Sequence, residues 1–221
     1  TVAFTGLSLT DAQSGNYSLT QPSDNTARIT AKALTVSGLS SANKVYDATT
    51  AVNSSALGTG YSVIGLVGSE TVSGATLVYA NADVSRNSSG TVLSDKAIVV
   101  SGAVAGANTQ LSNYAISYVN NTSSTITPKP ATLSAMKAYD GSADLTGWVT
   151  INTGIAGQVL SYSNARANSL EAGVIGNYVS QIVLVSTPTS SAANYALPVL
   201  SAITAPVSIS IPQPAVVTIS R

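Results

Sequence analysis

The stretch KVYDATT, Lys44 to Thr50, returns later in the chain as KAYDGSA, Lys137 to Ala143. Lysine, tyrosine and aspartate at one fixed spacing allow two readings: a duplicated active site or a duplicated piece of scaffold. On a strand, Lys44 and Tyr46 share one face, and Val45 and Asp47 share the other. Asp47 then meets Ala-Thr-Thr, as Asp140 meets Gly-Ser-Ala. An aspartate before small residues starts a turn, its carboxylate accepting a backbone N–H two positions on. Tyr46 and Tyr139 can bury their rings while each hydroxyl finds a partner. The scaffold reading therefore explains every letter except the lysines.

Working outward, two further markers recur. Asn-Tyr pairs stand at Asn16-Tyr17, Asn113-Tyr114 and Asn194-Tyr195. Each is followed by an Ile-Thr pair: Ile29-Thr30, Ile126-Thr127 and Ile203-Thr204. The steps from Tyr to Ile are 12, 12 and 8 residues. Three markers in one order at near-constant offsets are the signature of a tandem repeat. The register reads as the tail of one module over 1–30, a full module over 31–127, a shorter module over 128–204, and the start of another over 205–221. Asparagine tolerates turn geometry, so Asn16, Asn113 and Asn194 are read as turn residues whose tyrosines open strands.

Between the markers the pattern alternates. ALTVSG (Ala33–Gly38), KAIVVSG (Lys96–Gly102), NYAISYV (Asn113–Val119) and VSISI (Val207–Ile211) place apolar residues at nearly every second position. That is the period of a half-buried strand, written in the β-branched and aromatic residues a pleated surface favours. Gly, Asn, Ser and Asp clusters punctuate the runs. NARANSLEAGVIGNYVSQ (Asn164–Gln181) could hold one short helix; no other stretch shows apolar residues at helical spacing. The expectation is all-β: tandem β-sandwich-like modules, Ig-like or related, arranged as an elongated rod.

Composition removes several function classes. Charged residues make up 8% of the chain, against roughly 25% in an average globular protein. The formal net charge is zero, which leaves no basic patch to neutralise phosphates and argues against nucleic acid as a partner. There is no cysteine, so neither a disulfide framework nor a thiolate metal site can form. There is also no histidine, which removes the commonest general base and metal ligand. Asp83, Asp95, Asp140 and Asp144 are scattered rather than set in an Asp-rich calcium loop. The expectation is a chain that is not an enzyme, with no catalytic residue, cofactor or metal, and no membrane-inserted segment. Thr1 begins mid-pattern, as an excised fragment would.

SGNYSLTQPSDNTARITAKALTVSG followed by NKVYDATT resembles the YDG-type repeats of large bacterial surface adhesins of the filamentous-haemagglutinin-like class, many of them secreted by the two-partner route. The resemblance continues through Gly68-Ser69-Glu70-Thr71-Val72, Tyr79-Ala80-Asn81-Ala82-Asp83, Val99-Val100-Ser101-Gly102 and Ser112-Asn113-Tyr114. Ala48 stands where the family pattern has glycine, whereas the second module keeps Gly141 and departs through its middle. The resemblance implies a structural stalk of a secreted or surface-attached adhesin, whose repeats project a distal binding region for cell adhesion or biofilm formation. The implied partners are neighbouring repeats of the same chain, a host-surface glycan or protein, or another adhesin copy.

Two sites remain open at this level. Glycan binding commonly uses exposed aromatics, and Trp148, the sole tryptophan, is the candidate ligand contact. Tyr61, Tyr79, Tyr118, Tyr162 and Tyr178 also lie outside the repeated markers. Lys44 and Lys137 are a packing stem, one half of an ion pair, or an intramolecular crosslink. Asn-x-Ser/Thr triplets at Asn16, Asn53, Asn87, Asn120 and Asn121 arise readily in so hydroxyl-rich a chain.

Overall fold

The computed structural model describes residues 5, 7–20, 26–38, 41–52 and 60–211. Asn53 and residues 212–221 of the expected fourth segment lie outside them. The alternating runs form strands as their period requires, and the fold is all-β with several sheets. The helices among the described residues are three-residue 3-10 turns. The stretch offered for a short helix holds the end of one strand, two turns and the start of the next. Its glycines and the left-handed Asn164 (φ 53°) suit turns and a strand irregularity better than continuous helix.

Unit one contains β1 (Lys32–Gly38), β2 (Asn43–Val45), β3 (Tyr61–Ile64), β4 (Val72–Tyr79), β5 (Lys96–Ala105), β6 (Tyr114–Val119) and β7 (Asn121–Thr127). One sheet runs β3-β1-β6 and the other β2-β7-β5-β4. The chain changes sheet between β1 and β2, and again at Asn120 between β6 and β7. At both levels the first strand pairs parallel with the last: β1 with β6 and β2 with β7. Leu34 and Val36 of β1 are fully buried, as the alternation requires.

Unit two repeats this plan with β8 (Lys129–Pro130), β9 (Thr132–Ala138), β10 (Val149–Asn152), β11 (Ser161–Ala167), β12 (Val179–Val185), β13 (Tyr195–Ala196) and β14 (Val207–Ser210). Strand β8 pairs parallel with β13, and β9 with β14. A core of Leu133, Ala135, Leu145, Ala165, Val179, Ile182, Val207 and Ile209 lies between the sheet β10-β9-β14 and the hairpin β11-β12.

The pairings give residue-level equivalence. Lys32 and Lys129 each face the tyrosine of an Asn-Tyr pair, and Lys44 and Lys137 each face an isoleucine of the closing strand. The first two lie 97 positions apart and the second two 93. From Lys32 to Lys44 the chain is four residues longer than from Lys129 to Lys137.

The same register corrects one marker. Ile203-Thr204 sits in an exposed turn, Ile203 being 91% accessible. Ile209, opposite Lys137, occupies the slot that Ile126 fills opposite Lys44. Val207–Ser210, expected to open a following module, is therefore paired within the sheet of unit two. The turn Ser201–Ala205 delays the closing strand, and letter matching mistook its Ile-Thr for the marker.

Candidate functional site

The K-x-Y-D element closes on itself in both units. In unit one the Lys44 ammonium donates to Asp47 Oδ1 at 2.7 Å, Thr49 O at 2.6 Å and Ala51 O at 3.1 Å. In unit two Lys137 Nζ meets Asp140 Oδ1 at 2.7 Å, Ser142 O at 2.9 Å and Asp144 O at 2.9 Å. The acceptors stand at i+3, i+5 and i+7 in each, so three lysine donors are matched to three oxygens of one turn. The aspartates also accept the backbone N–H two residues on, from Thr49 at 2.9 Å and Ser142 at 3.0 Å. The lysine side chains are 10% and 1% accessible, the aspartates 49% and 54%.

The alternation explains the burial. Strand β9 points Leu133, Ala135 and Lys137 inward in turn. A buried ammonium is tolerated only when paired and hydrogen-bonded, and the turn supplies both. Lys44 additionally stands 5.0 Å from the centroid of the Tyr79 ring, so the ring it covers is Tyr79 rather than Tyr46. Burial pushes the Asp47 carboxyl up, yet the hydrogen bonds from Lys44 and Thr49 outweigh it and leave its pKa below the ordinary value. Hydrogen bonds from Lys137 and Ser142 lower Asp140, and those from Thr146 lower Asp144.

The left-handed position of this turn is Ala48 in unit one (φ 63°) and Gly141 in unit two (φ 76°). Glycine meets no steric penalty there and alanine does. The departure from the family pattern thus falls on the one residue of the motif whose backbone favours glycine.

The tyrosines separate in role. Tyr46 is 4% accessible because unit two covers it. Its ring meets that of Tyr195 edge-on, 5.5 Å between centroids at 75°. Gln158 joins the two: its Nε2 donates to the Tyr46 hydroxyl at 2.9 Å, and its Oε1 accepts from the Tyr195 hydroxyl. Asn194 completes the joint. Its Oδ1 accepts from Val84 N at 2.8 Å and its Nδ2 donates to Asp83 Oδ1 at 2.7 Å. Arg86 Nε donates to Ala193 O at 2.9 Å. Beneath these contacts, Ala42, Val84, Ile98 and Ile126 of unit one share a core with Leu160 and Tyr195 of unit two. Sequence reading missed Gln158, Asp83, Val84 and Arg86, and gave Asn194 a local role only.

Each of the three marker Asn-Tyr pairs leaves a 3-10 turn, Ser14–Asn16, Leu111–Asn113 and Ala192–Asn194, whereas Asn177-Tyr178 leads into β12 without one. Tyr114 and Tyr195 open strands, whereas Tyr17 is 72% accessible and outside any described strand. The Tyr114 hydroxyl donates to Glu70 Oε2 and accepts from Val67 N at 3.1 Å. Its pKa is raised, first by the Glu70 hydrogen bond and then by desolvation.

Tyr139 is 40% accessible. Trp148 is 49% accessible and, with Met136, Lys137, Ala138, Ser208 and Ser210, lines an open cavity of about 230 Å³. The structure thus brings Tyr46 and Tyr195 together and leaves Trp148 outside that joint. Among the triplets, Asn87, Asn120 and Asn121 use Oδ1 to accept backbone N–H groups.

A YDG domain is found at residues 30–124. It covers unit one into β7, and unit two beyond it reproduces the parallel pairing of first and last strands and the lysine turn. No curated protein and no solved structure matches the chain.

Proposed function

We propose that this chain is a run of structural stalk repeats, β-sandwich modules of an Ig-like kind, from a large secreted or surface-attached bacterial adhesin. In this reading the modules form an elongated rod that projects a distal binding region for adhesion or biofilm formation. The observation that carries it is the joint. The repeated Tyr46 and the Asn194-Tyr195 pair meet between the units, with Gln158 bonded to both tyrosines. The recurring Tyr46, Asn194 and Tyr195 thus couple neighbouring units. The lysines of the motif are likewise engaged by their own turns. Reach then grows by one module per repeat, and the joint sets stiffness. The linker supports the same view: β7 ends at Thr127 and β8 begins at Lys129, with Pro128 and Pro130 limiting backbone freedom. The YDG match and the resemblance to surface adhesins support the secreted setting.

Small-angle scattering tests the rod. An extended particle with one fixed inter-unit distance is expected; a compact globule, or a broad hinge distribution, defeats it. A second reading follows from Trp148, which stands half exposed beside a cavity with hydroxyl groups at its rim. On it, unit two binds host glycan. A glycan array with Trp148→Ala as control is expected to show binding lost in the variant, and an array with no hits removes this reading.

A further inference from the structure

The joint carries a reactive feature that neither unit has by itself. Among the described residues, Tyr46 of unit one and Tyr195 of unit two are the two tyrosines whose rings meet, 5.5 Å between centroids. Their hydroxyls share one acceptor: Gln158 Oε1 accepts from Tyr195 and, at 3.2 Å, from Tyr46. The phenolic ends of the two rings therefore converge, and with them the ring carbons ortho to each oxygen. The chain contains no cysteine, so no disulfide can tie the units. Tyrosine is the remaining side chain that one-electron oxidation turns directly into a cross-link between like residues.

We propose that Tyr46 and Tyr195 form an oxidative cross-linking site, at which a small one-electron oxidant couples them into a dityrosine that locks unit one to unit two. Each phenol gives one electron to one molecule of oxidant and its hydroxyl proton to water, and becomes a neutral radical. The two radicals join in a carbon–carbon bond between ortho positions. The two ortho hydrogens then pass to the oxygens as the rings regain aromaticity. The chain loses two electrons and two protons in all, and two equivalents of oxidant are reduced.

Two observations favour this pair over the other tyrosines. Fixed neighbours turn a chance collision of two radicals into a step within one molecule, which raises their effective concentration greatly. The joint is also open on one side. Tyr46 and Gln158 border a cleft of about 450 Å³, walled by Asp83, Ser186, Ser190 and Asn194. A small oxidant can enter there, and its polar walls admit the water that takes up the protons. The rings are 4% and 3% accessible, so a protein-sized oxidant cannot lie against them. Burial raises the Tyr195 phenol above its ordinary pKa, so at neutral pH its proton leaves with the electron rather than before it. Once formed, the bond ties residues of two units that non-covalent contacts alone otherwise hold together, and it fixes the inter-unit angle on which the stalk reading depends.

Photo-oxidation of the whole chain with tris(bipyridyl)ruthenium and persulfate, at a concentration low enough to keep copies apart, tests the site. The monomer is expected to become two hydrogens lighter and to gain the blue fluorescence of dityrosine. Peptide mapping should join the Tyr46 peptide to the Tyr195 peptide. Tyr46→Phe and Tyr195→Phe keep the ring and should each lower the fluorescence of the monomer at least several-fold. Tyr139→Phe, at the matching motif position of unit two, should leave it unchanged. Near-ultraviolet circular dichroism before oxidation checks that each variant is folded. A monomer without the two-hydrogen loss overturns the proposal, as does a cross-link that persists in Tyr46→Phe or maps to other tyrosines. Scattering then shows whether the stalk reading goes with it. One fixed inter-unit distance keeps that reading without the cross-link, and a broad hinge distribution removes both.

Discussion

Ala48 occupies a left-handed position that costs a β-carbon roughly 1–2 kcal/mol. Unit two, with Gly141, avoids that strain. Ala48→Gly relieves it and gives back part of the gain as unfolded-chain entropy, so a net stabilisation of about 0.5–1 kcal/mol is expected in denaturant unfolding. The lysine of the same turn acts in the opposite sense. Lys137→Met keeps the stem but leaves Ser142 O and Asp144 O without their donor, and should destabilise by about 2–3 kcal/mol. The turn also sets the acid response. Asp47, Asp140 and Asp144 all have pKa values below 3.8 in the folded chain. The stability they confer is fully present above pH 3.8 and is lost as pH falls through the depressed values. The thermal midpoint should hold flat from neutral pH down to about 4 and drop below it, with a shallower drop in Asp140→Asn, which keeps the turn acceptor but not the ion pair.

At the scale of elements, strands were readable and joints were not. Alternation in ALTVSG and KAIVVSG marks β1 and β5 because a strand has two faces and one is buried. Asp47 and Asp140 were readable as turn starters because their partners lie two residues on. The lysine clasp was not, since its acceptors are mostly backbone carbonyls, which every sequence supplies. Asn194 was read as a turn residue because its partners, Asp83 and Val84, stand 111 and 110 positions away. Ile203-Thr204 misled because a marker defined by letters ignores which strand faces Lys137. The joint these distant residues build should decide how the units unfold. Tyr46→Ala removes a buried ring, at about 3–5 kcal/mol, and Gln158→Ala unpairs two tyrosine hydroxyls, at about 1–3 kcal/mol. Calorimetry is expected to show one cooperative transition for the native chain and two for Tyr46→Ala.

For the whole molecule, the parallel closing of each unit has a mechanical consequence. Strand β1 enters unit one beside β6 and β2 beside β7, and β9 enters unit two beside β14. If the two ends of a unit are drawn apart, its first and last strands are dragged along their own length in opposite directions. The hydrogen bonds between them are then sheared together, whereas a hairpin at the same place would unzip one bond at a time. Single-molecule pulling is expected to show two high force peaks, one per unit, governed by the unfolding rate rather than by equilibrium stability. The peak of unit one should be the higher, since β1 and β2 together present nine residue pairs to the closing strands and β8 and β9 together present six. A chain tethered at one end and pulled at the other would thus yield unit by unit, its second module giving way before its first.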